Sequence, residues 1–137
     1  EKGVEASLVY LQEPGRFRMP RDSYEAAWQA SDELRNQLFP TSVQARVFLT
    51  HTRPEVLLGH LRPLDLGVDK TAALGYINRG GTLDVHGLLL ANGCSFAHLL
   101  AKLAEMAKLD LNQWLTEDEV AALVGKRPLT ELLPLGR

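Results

Sequence analysis

Gly75-Tyr-Ile-Asn-Arg-Gly-Gly-Thr-Leu-Asp-Val-His-Gly-Leu-Leu-Leu-Ala-Asn-Gly-Cys-Ser-Phe-Ala-His-Leu99 reads as the end of a strand, a turn and a helical return. The apolar run from Ala72 to Ile77 fits a strand. Gly80-Gly81 fits a tight turn. Ser95 can cap a helix on which Phe96, Leu99, Leu100, Leu103 and Ala107 recur at helical spacing. Strand, turn and helix in this order predict an α/β unit, and the flanking sequence repeats the alternation.

Upstream, Val4, Ala6, Leu8 and Tyr10 alternate with Glu5, Ser7 and Val9, which predicts a first strand. Pro14, Gly15 and Pro20 break the chain into a loop from Gln12 to Pro20. Asp22, with Glu25 three residues on, forms a candidate capping box. Tyr24, Ala27, Trp28, Leu34 and Leu38 then predict one helix, ended before Pro40. Ala45–Thr50 is apolar enough for a mostly buried strand. Pro54 suits the first turn of a short helix with Val56, Leu57 and Leu61, which Pro63 ends; Gly67 marks the next loop. Downstream, Thr116 and Glu119 form a second capping box for a helix through Leu123, with Gly125 as terminator. The apolar tail from Leu129 to Leu135 is expected to pack back on the body. The alternation predicts one α/β domain over residues 1–137, a three-layer sandwich with a largely parallel sheet and helices on both faces.

Composition narrows the function. The chain has 137 residues, 45% of them apolar, enough for a real core. Fifteen Lys and Arg against 17 Asp and Glu give a net charge of −2, so no global field draws in nucleic acid. The single cysteine, Cys94, excludes an internal disulfide and a cysteine metal cage, and it fits a reducing, cytoplasmic setting. No apolar run approaches the ~20 residues a bilayer span needs, so no membrane partner is expected. The chain opens on Glu1 rather than Met, with no signal peptide, and is expected to be a fragment or a processed form.

The sequence contains no phosphate-binding P-loop, no dinucleotide fingerprint and no serine elbow. Of the four histidines, His98 suits a solvated or capping role and His60 a helix end, and no pair has metal-ligand spacing. His51 differs, because it directly follows a buried strand, and open α/β sheets bind ligands at their strands' carboxyl ends. A parallel sheet would gather Gln12, His51, Thr52 and Asn78 on that edge, beside the turn Arg79-Gly80-Gly81-Thr82. Bare N–H groups at Gly80 and Gly81, hydroxyls at Thr52 and Thr82 and the Arg79 fork suit a phosphate or sugar phosphate. A plain structural turn is the competing reading. The loop bearing Arg16, Arg18 and Arg21 around Phe17 and Met19 is either solvated or a grip for phosphate or carboxylate. Cys94 reads as a small apolar residue.

The order of features also resembles the carboxy-terminal domain of phosphoketolases. That domain has an apolar strand running into Gln and Pro, an acidic helix, a strand ending in His, then Pro and a short helix. A Gly-Tyr strand, Gly-x-Thr or Gly-Gly-Thr, Asn, and an aromatic residue close to His-Leu follow. The chain is similar at Leu8–Pro14, Val47–His51, Pro54, Gly75-Tyr76, Gly81-Thr82, Asn92, Phe96 and His98-Leu99. It departs from the family at Thr52, where Gly is usual, in Leu83-Asp84-Val85-His86, which lacks a proline, and beyond Leu109. The resemblance implies a Rossmann-like, transketolase-type closing domain of a longer enzyme. That enzyme, with thiamine diphosphate and Mg, cleaves xylulose 5-phosphate or fructose 6-phosphate with phosphate to acetyl phosphate. The family's cofactor motif and catalytic histidines lie in its first two domains, so no catalytic residue, metal or cofactor is assigned to this chain. The implied partners are the other domains of the polypeptide and a second copy, with self-association expected through Leu129, Leu132, Leu133, Leu135 and the rim at Leu88–Leu90. The alternatives are an independent α/β module that binds a small anion as a regulator, and an oligomerisation domain.

Overall fold

A computed structural model describes residues 4–77 and 83–126. Its helices are α1 (Ser23–Ala26), α2 (Asp32–Leu38), α3 (Pro54–His60), α4 (Val85–Ala91), α5 (Phe96–Ala107) and α6 (Glu117–Leu123). Strands β1 (Arg46–Thr50) and β2 (Thr71–Gly75) pair in parallel, from Arg46 opposite Thr71 to Thr50 opposite Gly75. Helix α3 is the crossover, with Pro54 in its first turn, and packs against both strands, while α5 packs against β1. The fold is therefore mixed α/β with a two-stranded parallel sheet among the described residues. The tail from Leu129 to Leu135 lies outside them.

The core forms where the aromatic residues converge. Phe17, Ala30, Phe39, Phe48, Leu61 and Leu64 make one buried cluster, with Leu34, Leu38, Leu57 and Ala73 packed on it. Phe17 meets Phe39 edge to face at 5.2 Å between ring centroids, and Phe39 meets Phe48 at 6.5 Å. On the same face of β1 as Phe48, Arg46 lies over the Phe39 ring, 5.6 Å from its centroid. Its guanidinium donates to the Leu64 and Pro40 carbonyls. Burial pushes that guanidinium below its ordinary pKa.

Two sequence expectations need correction. The segment from Val4 to Tyr10 is not a strand, and the parity of its alternation is reversed. Leu8 is 92% and Tyr10 86% exposed, whereas Val9 and Leu11 touch the core. With no strand beside it, nothing turns the even-numbered side chains inward. The helix expected across Tyr24–Leu38 is two helices. The Ala30 N–H leaves the helical ladder to donate to the Arg16 carbonyl at 2.8 Å, and Ser31 then caps α2 afresh. Tyr24 and Trp28 consequently face solvent at 73% and 66% exposure.

The other caps match expectation. Ser95 caps α5, and Thr116 with Glu119 forms a complete capping box on α6. Helices α4, α5 and α6 end alike, with left-handed residues at Gly93, Lys108 and Gly125. Cys94, Leu109 and Lys126 donate back to Leu89, Ala104 and Ala121 at 2.9, 2.9 and 2.8 Å, the six-to-one bond of a Schellman motif. By length and composition Val85–Ala107 is apolar enough to cross a membrane, a run the sequence expectation undercounted. Its backbone turns at Gly93 (φ 67°), so helices of 7 and 12 residues replace a single span.

Candidate functional site

The carboxyl ends of β1 and β2 lie side by side because the strands are parallel and in register. At that edge the Tyr76 N–H donates to the Thr52 carbonyl at 3.0 Å. The Thr52 N–H donates to Thr50 Oγ1 at 3.1 Å, and the two threonine hydroxyls are 3.0 Å apart. The structure thus places His51 and Thr52 at the strand ends, both exposed, where the sequence put them. Asn78, Arg79, Gly80, Gly81 and Thr82 lie outside the described residues. Gln12, expected on the same edge, instead lines a groove with Val9, Leu11, Phe17, Leu34 and Leu38. The strand that was to end just before it does not form.

Asn92 fixes where the chain leaves this edge. It is buried at the end of α4, where its Oδ1 accepts from the Ile77 N–H at 3.0 Å and its Nδ2 donates to the Leu88 carbonyl at 2.8 Å. Only the resemblance pointed to this residue; its reach across 15 positions has no local signature. We expect Asn92→Ala to lower stability by about 1–2 kcal/mol, since the Ile77 N–H loses its acceptor while the Leu88 carbonyl keeps the Asn92 backbone N–H. Amide exchange at Ile77 should accelerate in the same variant. Unchanged protection at Ile77 would refute the link.

The basic loop is organised by Glu25, which the sequence reading gave only a capping role. Asp22 does cap α1, accepting from the Glu25 N–H at 2.8 Å. The Glu25 carboxylate turns instead to two arginines. It accepts from the Arg21 backbone N–H at 2.9 Å, from Arg21 Nε at 2.6 Å and from Arg18 Nη2 at 2.6 Å. Hydrogen bonds from Arg21 above all hold Glu25 down to about 2, against an ordinary value of 4.5. Its contribution to stability is therefore full above about pH 4.5 and disappears as the pH falls towards 2. Denaturation followed from pH 6 to 2 should show a slope that flattens in Glu25→Gln; parallel curves would contradict this.

Elsewhere, Ser95 caps α5 and its Oγ lies 2.7 Å from His98 Nδ1, so the half-buried His98 ring, expected to be solvated or capping, braces the capping hydroxyl. Burial lowers the His98 pKa and raises that of Cys94, which is consistent with a neutral ring and a protonated thiol. His60 ends α3 and lines an open hollow beside the basic loop, together with Glu13, Arg16, Arg18, Glu25 and Trp28. Among the described residues no group of three or more His, Cys, Asp or Glu is placed to hold a metal ion. On the described residues the strand-end site offers an imidazole and a hydroxyl, which suit hydrogen bonding. Comparison of the chain with protein-family models, with curated proteins and with solved structures gives no match.

Proposed function

We propose that this chain is the closing, non-catalytic domain of a thiamine-diphosphate-dependent phosphoketolase, acting in the cytoplasm with the other domains of its polypeptide and a second copy. One observation supports the reading: from Val47 onward the described residues of the resemblance fall, in order, on the joints of a parallel βαβ unit and of the two helices after it, whereas Leu8–Pro14 does not supply the strand the resemblance implies. His51 follows β1, Pro54 opens α3, Gly75-Tyr76 ends β2, and Asn92 ties α4 to Ile77. Phe96 and His98 open α5. Residues that build turns and junctions hold a fold together whether or not they touch a substrate. We assign the β1–α3–β2 unit, on the same ground, to a Rossmann-like three-layer sandwich. Within the chain, the strand-end residues His51, Thr52, Asn78, Arg79, Gly80, Gly81 and Thr82 form a site for phosphate or sugar phosphate that is regulatory or interfacial.

The chain's donors do not fit a Mg²⁺-diphosphate group. The sequence has no acidic-Gly cofactor motif, and the described carboxylates are not clustered as metal ligands. The cofactor belongs, in this reading, to the preceding domains. The deciding experiment is to express the whole reading frame that encodes these residues and assay acetyl phosphate from xylulose 5-phosphate and fructose 6-phosphate with phosphate, thiamine diphosphate and Mg²⁺. Acetyl phosphate from either sugar supports the assignment. A folded product that forms none, or a reading frame with no cofactor-binding domains, overturns it.

A further inference from the structure

Asn92-Gly93 forms the joint between α4 and α5, and of the four asparagines in the chain only Asn92 precedes a glycine. Asparagine is a labile residue, most of all in this pair. The next backbone nitrogen can attack the side-chain amide carbon, and glycine has no Cβ to shield that nitrogen. The fold requires the same two residues for other reasons. Gly93 stands at φ 67°, the left-handed position that ends α4. Asn92 is 5% exposed; its Oδ1 accepts from the Ile77 N–H and its Nδ2 donates to the Leu88 carbonyl. The labile pair is therefore built into the helix end.

The closed structure keeps the pair from reacting. The Gly93 N–H donates to the Leu90 carbonyl at 3.0 Å, so the attacking nitrogen is tied into the helix end. The Asn92 N–H donates to Leu88 at 3.0 Å and the Cys94 N–H to Leu89 at 2.9 Å, which fixes the backbone on both sides. This lock is only as firm as α4. The helix has 7 residues, none of them buried, and Val85 at its start is 67% exposed. A short helix with so little buried surface opens locally well before the whole fold unfolds.

We propose that Asn92-Gly93 is a deamidation site, shut in the closed fold and opened by local fraying of α4, whose product unfastens α4 from Ile77. The Gly93 nitrogen gives up its proton and bonds to Asn92 Cγ. The Cγ–Nδ2 bond breaks, and the nitrogen leaves as ammonia with that proton. Water then opens the cyclic imide. Attack at Cγ gives aspartate, and attack at the Asn92 backbone carbonyl carbon gives isoaspartate. Water is the only co-reactant. Aspartate replaces the Nδ2 donor with a second acceptor, which faces the Leu88 carbonyl in a buried position. Isoaspartate lengthens the main chain by a methylene within the helix end. The inference rests on α4 and its neighbours and is independent of the phosphoketolase reading.

The test is peptide mapping by mass spectrometry of the native chain at mildly alkaline pH, beside the same chain unfolded in guanidinium chloride. In the unfolded chain conversion should concentrate at Asn92, ahead of Asn36, Asn78 and Asn112. In the native chain conversion at Asn92 should be about ten- to a thousandfold slower. Two cap variants separate local from global opening. Asp84 caps α4, accepting from the Gly87 N–H at 2.7 Å, and Ser31 caps α2. Both are exposed, and losing either cap destabilises by a similar amount. Asp84→Ala should speed native conversion about fivefold, and Ser31→Ala should leave it unchanged. Asn92→Asp, the aspartate product, should speed amide exchange at Ile77 by at least about fivefold. The proposal fails if native and unfolded chains convert at one rate, or if another asparagine leads in the unfolded chain. It fails too if native Asn92 stays intact for about a thousandfold longer than the unfolded half-time. Conversion no faster in Asp84→Ala than in Ser31→Ala would remove the role of α4. Wild-type protection of Ile77 in Asn92→Asp would show that the product unfastens nothing, and would overturn the proposal.

Discussion

Gly75→Ala should destabilise the protein by about 3 kcal/mol, from overpacking plus a broken hydrogen bond. Gly75 ends β2 and is buried. A Cβ there would collide with the Thr52 carbonyl and come within 2.7 Å of Thr50 Cγ2 and 3.1 Å of Pro54 Cδ. None of these neighbours can yield cheaply. The Thr52 carbonyl is backbone and accepts the Tyr76 N–H. The Thr50 hydroxyl is engaged with Thr52. Pro54 is a rigid ring in the first turn of α3. Relief requires the strand ends to part, which breaks the bond between Tyr76 and Thr52. Urea denaturation measures the effect through its midpoint, and Gly75→Val should be worse. An alanine variant within about 0.5 kcal/mol of wild type, the range of an ordinary surface substitution, would show that the close approach is not real.

Leu61→Ala should cost about 3–4 kcal/mol, the usual range for emptying a core leucine site. Leu61 is 1% exposed and sits among Phe17, Phe39, Phe48 and Leu64. It also closes α3, donating its N–H to the Leu57 carbonyl at 2.8 Å. The backbone bond survives the substitution, so the loss reads packing alone. Leu61→Met keeps the volume and should cost less than about 1.5 kcal/mol. If both variants lose equally, packing at this site is not what the leucine supplies. The same denaturation slope in all three proteins would show that the unfolded state is unchanged.

These two positions also show what the sequence could tell. Leu61 is recognisable as core because it closes an apolar set with Val56 and Leu57 behind a helix-opening proline. Both strands were legible as apolar runs between breakers, and Ser95, Thr116 with Glu119, and Gly125 announced their helix ends. The break before α2 was missed, although Ser31 ahead of Asp32 and Glu33, a cap before an acidic first turn, is the signal that could have marked it. Its cause has no local pattern, because the Ala30 N–H finds the Arg16 carbonyl, 14 residues back along the chain. Val4–Tyr10 misled for a related reason: alternation marks a strand only when another strand is there to pair with it. In the candidate sites, the parallel pairing made the placement of His51 and Thr52 legible. The pairing of Arg21 with Glu25 was missed, because Glu25 was read only as a capping partner of Asp22. Arg18 on the same carboxylate, Asn92 on Ile77 and the hollow beside Trp28 depend on tertiary approach, which no local pattern encodes.

The sheet of two strands carries one more consequence. Neither strand is interior among the described residues, so each has a rim of main-chain groups facing away from its partner. Arg46-Val-Phe-Leu-Thr50 has one charge, at its first residue, and Thr71-Ala-Ala-Leu-Gly75 has none. Neither contains the lysine, proline or bulge with which proteins blunt such rims. Their shortness, five residues each, is the remaining safeguard. The sheet is therefore a template: a strand from a neighbouring domain could extend it in register, and in concentrated solution the same rims would nucleate intermolecular β-aggregation.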